Sequence, residues 1–354
     1  MKILLKLHHR FQYHEHFFVK GRPRSLDRSN KNGSKVVLQI ISKGHSYSKL
    51  VVLSLYHHKT ERMSTVFFAL IAFWGAIFSW PDPQQDGWEP LLDSGLTKWE
   101  NYLSYRHKID YNGKVPVDDE GHEIAPIGYN KDETHVFSVI QSPEGPILRV
   151  SGEIYGCLFS KKSYKNYHLT MQVKWGDTKY VSRLDKLKDS GILYHSIGKA
   201  GVEYWRSWML SQEFQVMEGH MGDFWCQANS AIDIRSYLPE GNMNSVADIS
   251  QPFHPFKSGS ESFCMRSCNR ESPDGEWTTL DLICFEGKSI HIVNGHVVMV
   301  LQNSRYITSD GEEVPMIEGK IQLQSEAAEV FYRDIRIKPL TELPDEYQAL
   351  YGDD

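Results

Sequence analysis

The sequence predicts an all-β protein, a two-sheet antiparallel sandwich with long loops, on three observations. Aromatics make up 12% of the 354 residues and are accompanied by 26 Gly and 15 Pro, a mixture that favours strands and turns over helical bundles. From Trp88 onward, short stretches alternate apolar and polar residues, the period of a strand with one buried face. The links between these stretches are short, which is the pattern of a meander and not of βαβ units. With 24% charged and 40% hydrophobic residues, the chain has the composition of a globular protein.

In chain order, the first element is a basic extension. Residues 1–62 carry 13 Lys/Arg against Glu15, Asp27 and Glu61, and they contain seven His. Their only notable apolar runs are Val36–Ile41 and Leu50–Leu55. The segment reads as a disordered tail or a spurious upstream stretch; its charge also admits a nucleic-acid-binding tail, although the net −6 of the whole chain argues against a nucleic-acid partner. After Met63, Val66–Phe78 is thirteen residues long without a charge. A membrane span needs about 20 apolar residues, so 63–79 reads as a secretory signal peptide and the protein as secreted or periplasmic. Residues 80–340 then form the folded domain and 341–354 a C-terminal tail with a helical turn near Pro344–Tyr351.

Within the domain, Tyr167–Lys174 alternates Leu169, Met171 and Val173 against His168, Thr170 and Gln172. Further strands are expected at Ile192–His195, Glu213–Met217, Leu280–Phe285, Ser289–Val293, His296–Leu301, Lys320–Gln324 and Val330–Ile337. Asn294-Gly295 supplies the two positive-φ residues of a type I′ hairpin. Long loops are expected at 104–135 and 219–277.

The order of motifs resembles one family. Trp88-Glu-Pro-Leu-Leu-Asp-Ser-Gly-Leu-Thr-Lys-Trp99, Asp189-Ser-Gly-Ile-Leu-Tyr-His195, Glu213-Phe-Gln-Val-Met-Glu218, Gly275-Glu-Trp277 and Gly319-Lys-Ile-Gln-Leu-Gln324 are similar to the series found in 3-keto-disaccharide hydrolases. The resemblance implies a lectin- and glucanase-like jelly roll that acts on 3-keto-glycosides. His195 stands where many members carry Arg, and 104–135 and 219–250 are insertions.

A 3-keto sugar is acidified at C2, and loss of that proton expels the glycosidic oxygen from C1. Such a site needs a base, an acid and a group that stabilises the enolate oxygen. The candidate catalytic residues are Glu213, His195 and Glu218, with one bulge between 215 and 218 returning Glu218 to the Glu213 face. The candidate substrate-binding residues are Gln215, Trp205, Arg206, Trp208, Trp225, Asp189 and Tyr194, with Arg206 or Lys186 at the enolate oxygen. The aromatics can stack on sugar rings or pack in the core. A divalent cation is a candidate cofactor, and His220 and Asp223 are two candidate ligands for it. Cys264 and Cys268 are close enough in sequence to pair. The competing function is a non-catalytic, lectin-like carbohydrate-binding module, which would need aromatics and amides but no converging ionisable groups.

Overall fold

A computed structural model describes residues 36–38, 53–55, 87–106, 114–202 and 206–352. Before the domain, β1 (Val36–Leu38) and β2 (Leu53–Leu55) pair antiparallel, with Val36 opposite Leu55. The apolar run Val66–Phe78 and the candidate Trp205 lie outside the described residues.

The domain opens with β3 (Glu89–Pro90), β4 (Trp99–Arg106), β5 (Gly128–Tyr129), β6 (Phe137–Ser142), β7 (Gly145–Val150), β8 (Ile154–Ser160) and β9 (Tyr167–Lys179). Its middle contains β10 (Asp189–Ile197), β11 (Leu210–Met217), β12 (Phe224–Gln227), β13 (Ser230–Tyr237), β14 (Ser245–Ala247), β15 (Phe253–Lys257) and β16 (Phe263–Met265). The last strands are β17 (Thr278–Phe285), β18 (Lys288–Val293), β19 (His296–Ile307), β20 (Glu313–Pro315), β21 (Lys320–Ser325) and β22 (Ala328–Pro339).

These strands form the two-sheet sandwich expected from the alternation. One sheet runs β5-β4-β8-β21-β10-β11-β12-β16-β14. The other runs β6-β7-β22-β9-β17-β18-β19-β13-β15. Strand β13 also pairs with β14, so it ties the two sheets together at one side. Every pairing is antiparallel except β14 with β16.

The core lies between the sheets. Ile192, Tyr194, Phe214, Val216, Ile321 and Leu323 point inward from the first sheet against Leu169, Met171, Val173, Leu280, Leu282 and Val330 of the second. Each fully buried side chain of this size contributes roughly 1.5–3 kcal/mol of transfer free energy.

The turn between β18 and β19 is Asn294-Gly295, with φ of 48° and 75°, as the dipeptide predicts. The region 219–277 is not a loop: it carries β12 to β16, whose short lengths and prolines hide the period in the sequence. The end of the chain is docked. After α1 (Asp345–Gln348), Tyr351 donates to the carbonyls of Ser289 and Leu301, and Arg235 holds the carbonyls of Leu350 and Gly352. Cys264 and Cys268, close enough in sequence to pair, both carry free thiols.

Candidate active site

Strict alternation sends Phe214 and Val216 into the core and leaves Glu213, Gln215 and Met217 on the outer face of the first sheet. Strand register then sets the neighbours. Leu193 lies opposite Glu213, Gly191 opposite Gln215 and Asp189 opposite Met217. On the next strand, Gln322 lies opposite Leu193, so Gln324 comes beside Gly191. On the other side of Glu213 lies Trp225. This gives a polar floor, nearly all of it buried, in an outer sheet face.

Gly191 makes a gap in the row of side chains, and its neighbours fill it. A Cβ there would collide with the side-chain oxygens of both Gln324 and Glu213, whose ends lean over the glycine. Gln324 Oε1 has no hydrogen-bond partner among the described residues. Gln215 donates to Asp189 Oδ1 at 2.6 Å, and Gln227 donates to Glu213 Oε2.

Asp189, Glu213 and Glu326 gather around one guanidinium. Arg183, from the short 3-10 turn Val181–Arg183, pairs with both Asp189 and Glu326. Burial raises the pKa of Glu213 to about 8, helped by the negative charge of Glu326; the Gln227 amide and Arg183 oppose the rise. Burial and the Glu326 charge also push Asp189 well above the carboxylate range, against the pull of Arg183. Glu326 is raised by burial, while Arg183 pulls the other way. The cluster therefore holds protons that ordinary carboxyls release near pH 4.

Arg183 also lines an open cleft of about 660 Å³, together with Lys179, Lys186, Leu187, Met217 and Glu218. From Met217, the floor leads inward through Gln215 to Glu213. Beyond Glu213, Trp225 is 38% exposed and its ring lies 4.6 Å from that of Phe263. Tyr155, Leu193, Trp208 and Ala327 form an apolar cluster beside the floor.

The structure brings together Glu213, Gln215, Asp189 and Trp225 from the expected set, and places the other described members elsewhere. His195 is at a bulge in β10 between Tyr194 and Ile197, with φ of 51°. This turns its ring into the sandwich interior, edge-on to Tyr167 and Tyr194, instead of toward Glu213. Among the described residues neither ring nitrogen makes a hydrogen bond of normal geometry, and burial lowers its pKa to about 4, offset in part by the nearby backbone of Lys165 and Met316. Tyr194 is likewise a core residue, its hydroxyl against Ser289 and His291.

The expected bulge in β11 is absent, because its register with β10 is unbroken from Glu213 to Met217. Glu218 lies past the strand end, 3.5 Å from Lys188 Nζ, at the cleft mouth. Trp208 packs edge-on to Tyr155 and is buried. Arg206 is exposed, with its charge felt by Tyr105. Lys186 lines the cleft, and its charge reaches Glu326. His220 and Asp223 are bound to each other at 3.1 Å, and Asp223 is paired with Arg266 at 2.8 Å, which supplies the positive charge there. Among the described residues, no group of three His, Cys, Asp or Glu is arranged to hold a metal ion, and no helix is long and apolar enough to cross a membrane.

Two members of the cluster, Arg183 and Glu326, escape the sequence reading. Glu326 had a signal: Gln322, Gln324 and Glu326 alternate with Ile321 and Leu323, the same outward polar row as Glu213 and Gln215. Arg183 lies in a charged loop with no periodicity to single it out.

Two Parabacteroides distasonis structures, each named a "putative glycosyl hydrolase", are similar to this chain. One is 16% identical, covering 72% of this chain and 99% of its own, with a TM-score of 0.38. The other is 14% identical, covering 73% and 96%, with a TM-score of 0.39. The carbohydrate-binding module CBM66 from Bacillus subtilis is 11% identical over 57% of this chain and 91% of its own, with a TM-score of 0.32. No curated protein sequence matches this chain. The sequence profile described as the 3-keto-alpha-glucoside-1,2-lyase-like domain matches residues 87–338, the whole of the sandwich, and the chain belongs to that family.

Proposed function

We propose that the protein cleaves 3-keto-glycosides by elimination across C1 and C2, with water addition completing a hydrolysis. The observation that carries this reading is the convergence of Asp189, Glu213, Glu326 and Arg183 on one face. A sugar-binding module has no need of three buried carboxyls; an enzyme that moves protons near neutral pH does.

Glu213 is the base. With a pKa of about 8 its anion is a strong acceptor for the C2 proton. The electron pair of the C2–H bond forms the C1–C2 double bond, conjugated with the C3 ketone, while the C1–O bond breaks. The Asp189–Glu326 pair retains a proton on the same face, a source for the departing oxygen, and Arg183 is the nearby positive group for the developing enolate charge. Delivery to the cell exterior or periplasm fits the signal-like run after Met63.

The test is incubation with matched glucosides and 3-keto-glucosides, following free ketosugar and the ultraviolet absorption of the conjugated enone. Release from the 3-keto series alone is expected. Binding of glycans without release from any substrate would replace this reading with a lectin-like one.

A further inference from the structure

Arg183 reaches the buried carboxyls from a turn that is itself poorly anchored. The turn Val181–Arg183 contains no buried residue, and no side chain caps its start at Tyr180. Val181, Leu184 and Leu187 are exposed around it. The Tyr180 N–H donates to the Ala327 carbonyl at 2.8 Å, which ties down the residue before the turn. Within the turn, Ser182 Oγ shares a hydrogen bond of 2.7 Å with the Tyr155 hydroxyl.

Tyr155 is the fixed partner of that pair. It is fully buried, its ring edge-on to Trp208 at 5.9 Å and packed with Leu193 and Ala327. Gly156 of β8 lies opposite Ser325 of β21, so Tyr155 comes alongside Glu326. The Arg183 guanidinium also reaches the Tyr155 oxygen. Burial, with the Glu326 charge, holds the phenol well above its ordinary pKa, so it stays a neutral hydroxyl through the neutral range. A rigid core residue therefore meets the exposed turn one position before Arg183, and meets Arg183 as well.

We propose that Tyr155 is a positioning residue: through Ser182 and through the guanidinium itself, it holds the turn so that Arg183 stands between Asp189 and Glu326. This rests on the elimination reading above and adds the device that delivers its cation. The charged and titratable groups around the cluster are Asp189 of β10, Glu213 of β11, Glu326 after β21, Tyr332 of β22, and Arg183 and Lys186 of the loop. Arg183 favours the ionised form of Glu213 against burial. If the guanidinium drifts away, Glu213 keeps its proton to a higher pH.

The experiment measures kcat/KM against pH on a 3-keto-glucoside for the wild type, Tyr155→Phe, Ser182→Ala and the double variant. Tyr155→Phe keeps the ring and should lower kcat/KM at pH 7 about 10-fold, and Ser182→Ala about 3-fold. In both, the rise of the profile should move to higher pH. The double variant should match Tyr155→Phe, because both changes break one hydrogen bond. A fall without movement of the profile, additive losses, or no fall overturns the assignment. If Tyr155→Phe does not fold, Ser182→Ala carries the test, since its turn has no buried residue. If the wild type turns over no 3-keto-glucoside, the elimination reading fails by itself. A 13C NMR titration of side-chain-labelled Glu, with the Glu213 signal assigned by its loss in Glu213→Gln, then decides the positioning role. A Glu213 signal that titrates at higher pH in both single variants supports it, and an unmoved one overturns it.

Discussion

Gln215 reaches diagonally to the neighbouring strand to hydrogen-bond Asp189 at 2.6 Å, although the residue directly opposite it is Gly191. The diagonal is open because glycine leaves no side chain between them. The same gap lets Glu213 of β11 and Gln324 of β21 lean over the glycine from its two sides. One missing side chain thus shapes both the hydrogen-bond network and the placement of Glu213.

Gly191→Ala tests that gap. Its backbone needs no positive φ, so the added methyl acts only by displacing Glu213 and Gln324. Turnover should fall about 10²-fold, the effect of misplacing a reacting group by about 1 Å, while the melting temperature moves little. A large loss of stability with normal specific activity would place the role of Gly191 in folding alone.

Glu213→Gln should lower turnover about 10²–10⁴-fold. For the wild type, kcat/KM should rise with pH through the Glu213 value of about 8, since the ionised form is the base. Stability should move the opposite way. A carboxyl raised from 4.5 to about 8 favours the fold fully below 4.5, and that contribution is lost as pH climbs through 8; the displacement corresponds to up to about 5 kcal/mol. Chemical denaturation at pH 4.5 and pH 8.5 should therefore show Glu213→Gln gaining on the wild type at the higher pH.

Arg183→Met removes the only cation paired with both Asp189 and Glu326 among the described residues. Leaving the remaining negative charge of that buried pair uncompensated should cost about 3–5 kcal/mol at pH 7.5. Adding Asp189→Asn and Glu326→Gln should recover much of this in urea melts, and so should lowering the pH to 5. No recovery would show that Arg183 acts by packing.

His195→Leu should leave turnover at pH 7.5 within about 2-fold, because the ring faces the core and does not touch the Glu213 face. Its folded-state pKa of about 4 lies below the ordinary 6.5, so the neutral ring favours the fold above 6.5 and that contribution is lost as pH falls toward 4. The variant should resist acid unfolding better than the wild type. A collapse of turnover with unchanged acid stability would return His195 to the catalytic set.

Gly295→Val meets no atom within 4 Å, so its whole effect is backbone strain at φ 75°. A loss of roughly 1–2 kcal/mol is expected from thermal melts.

Local pattern was enough to settle what a strand shows to each side. Alternation in Glu213–Met217 puts Phe214 and Val216 in and Glu213 and Gln215 out, and Asn294-Gly295 places a turn, since both depend only on residues a few positions apart. Tertiary structure alone decided which groups share the site. A bulge, set by how β10 pairs with two partners at once, turned His195 inward; an unbroken register kept Glu218 out of the floor. Glu326 and Arg183 joined Glu213 through the pairing of β21 with β10 and the closure of a loop, contacts between segments far apart in the chain. Period and turn chemistry act within a few residues, whereas register and loop closure act between distant ones, and no short stretch of sequence encodes them.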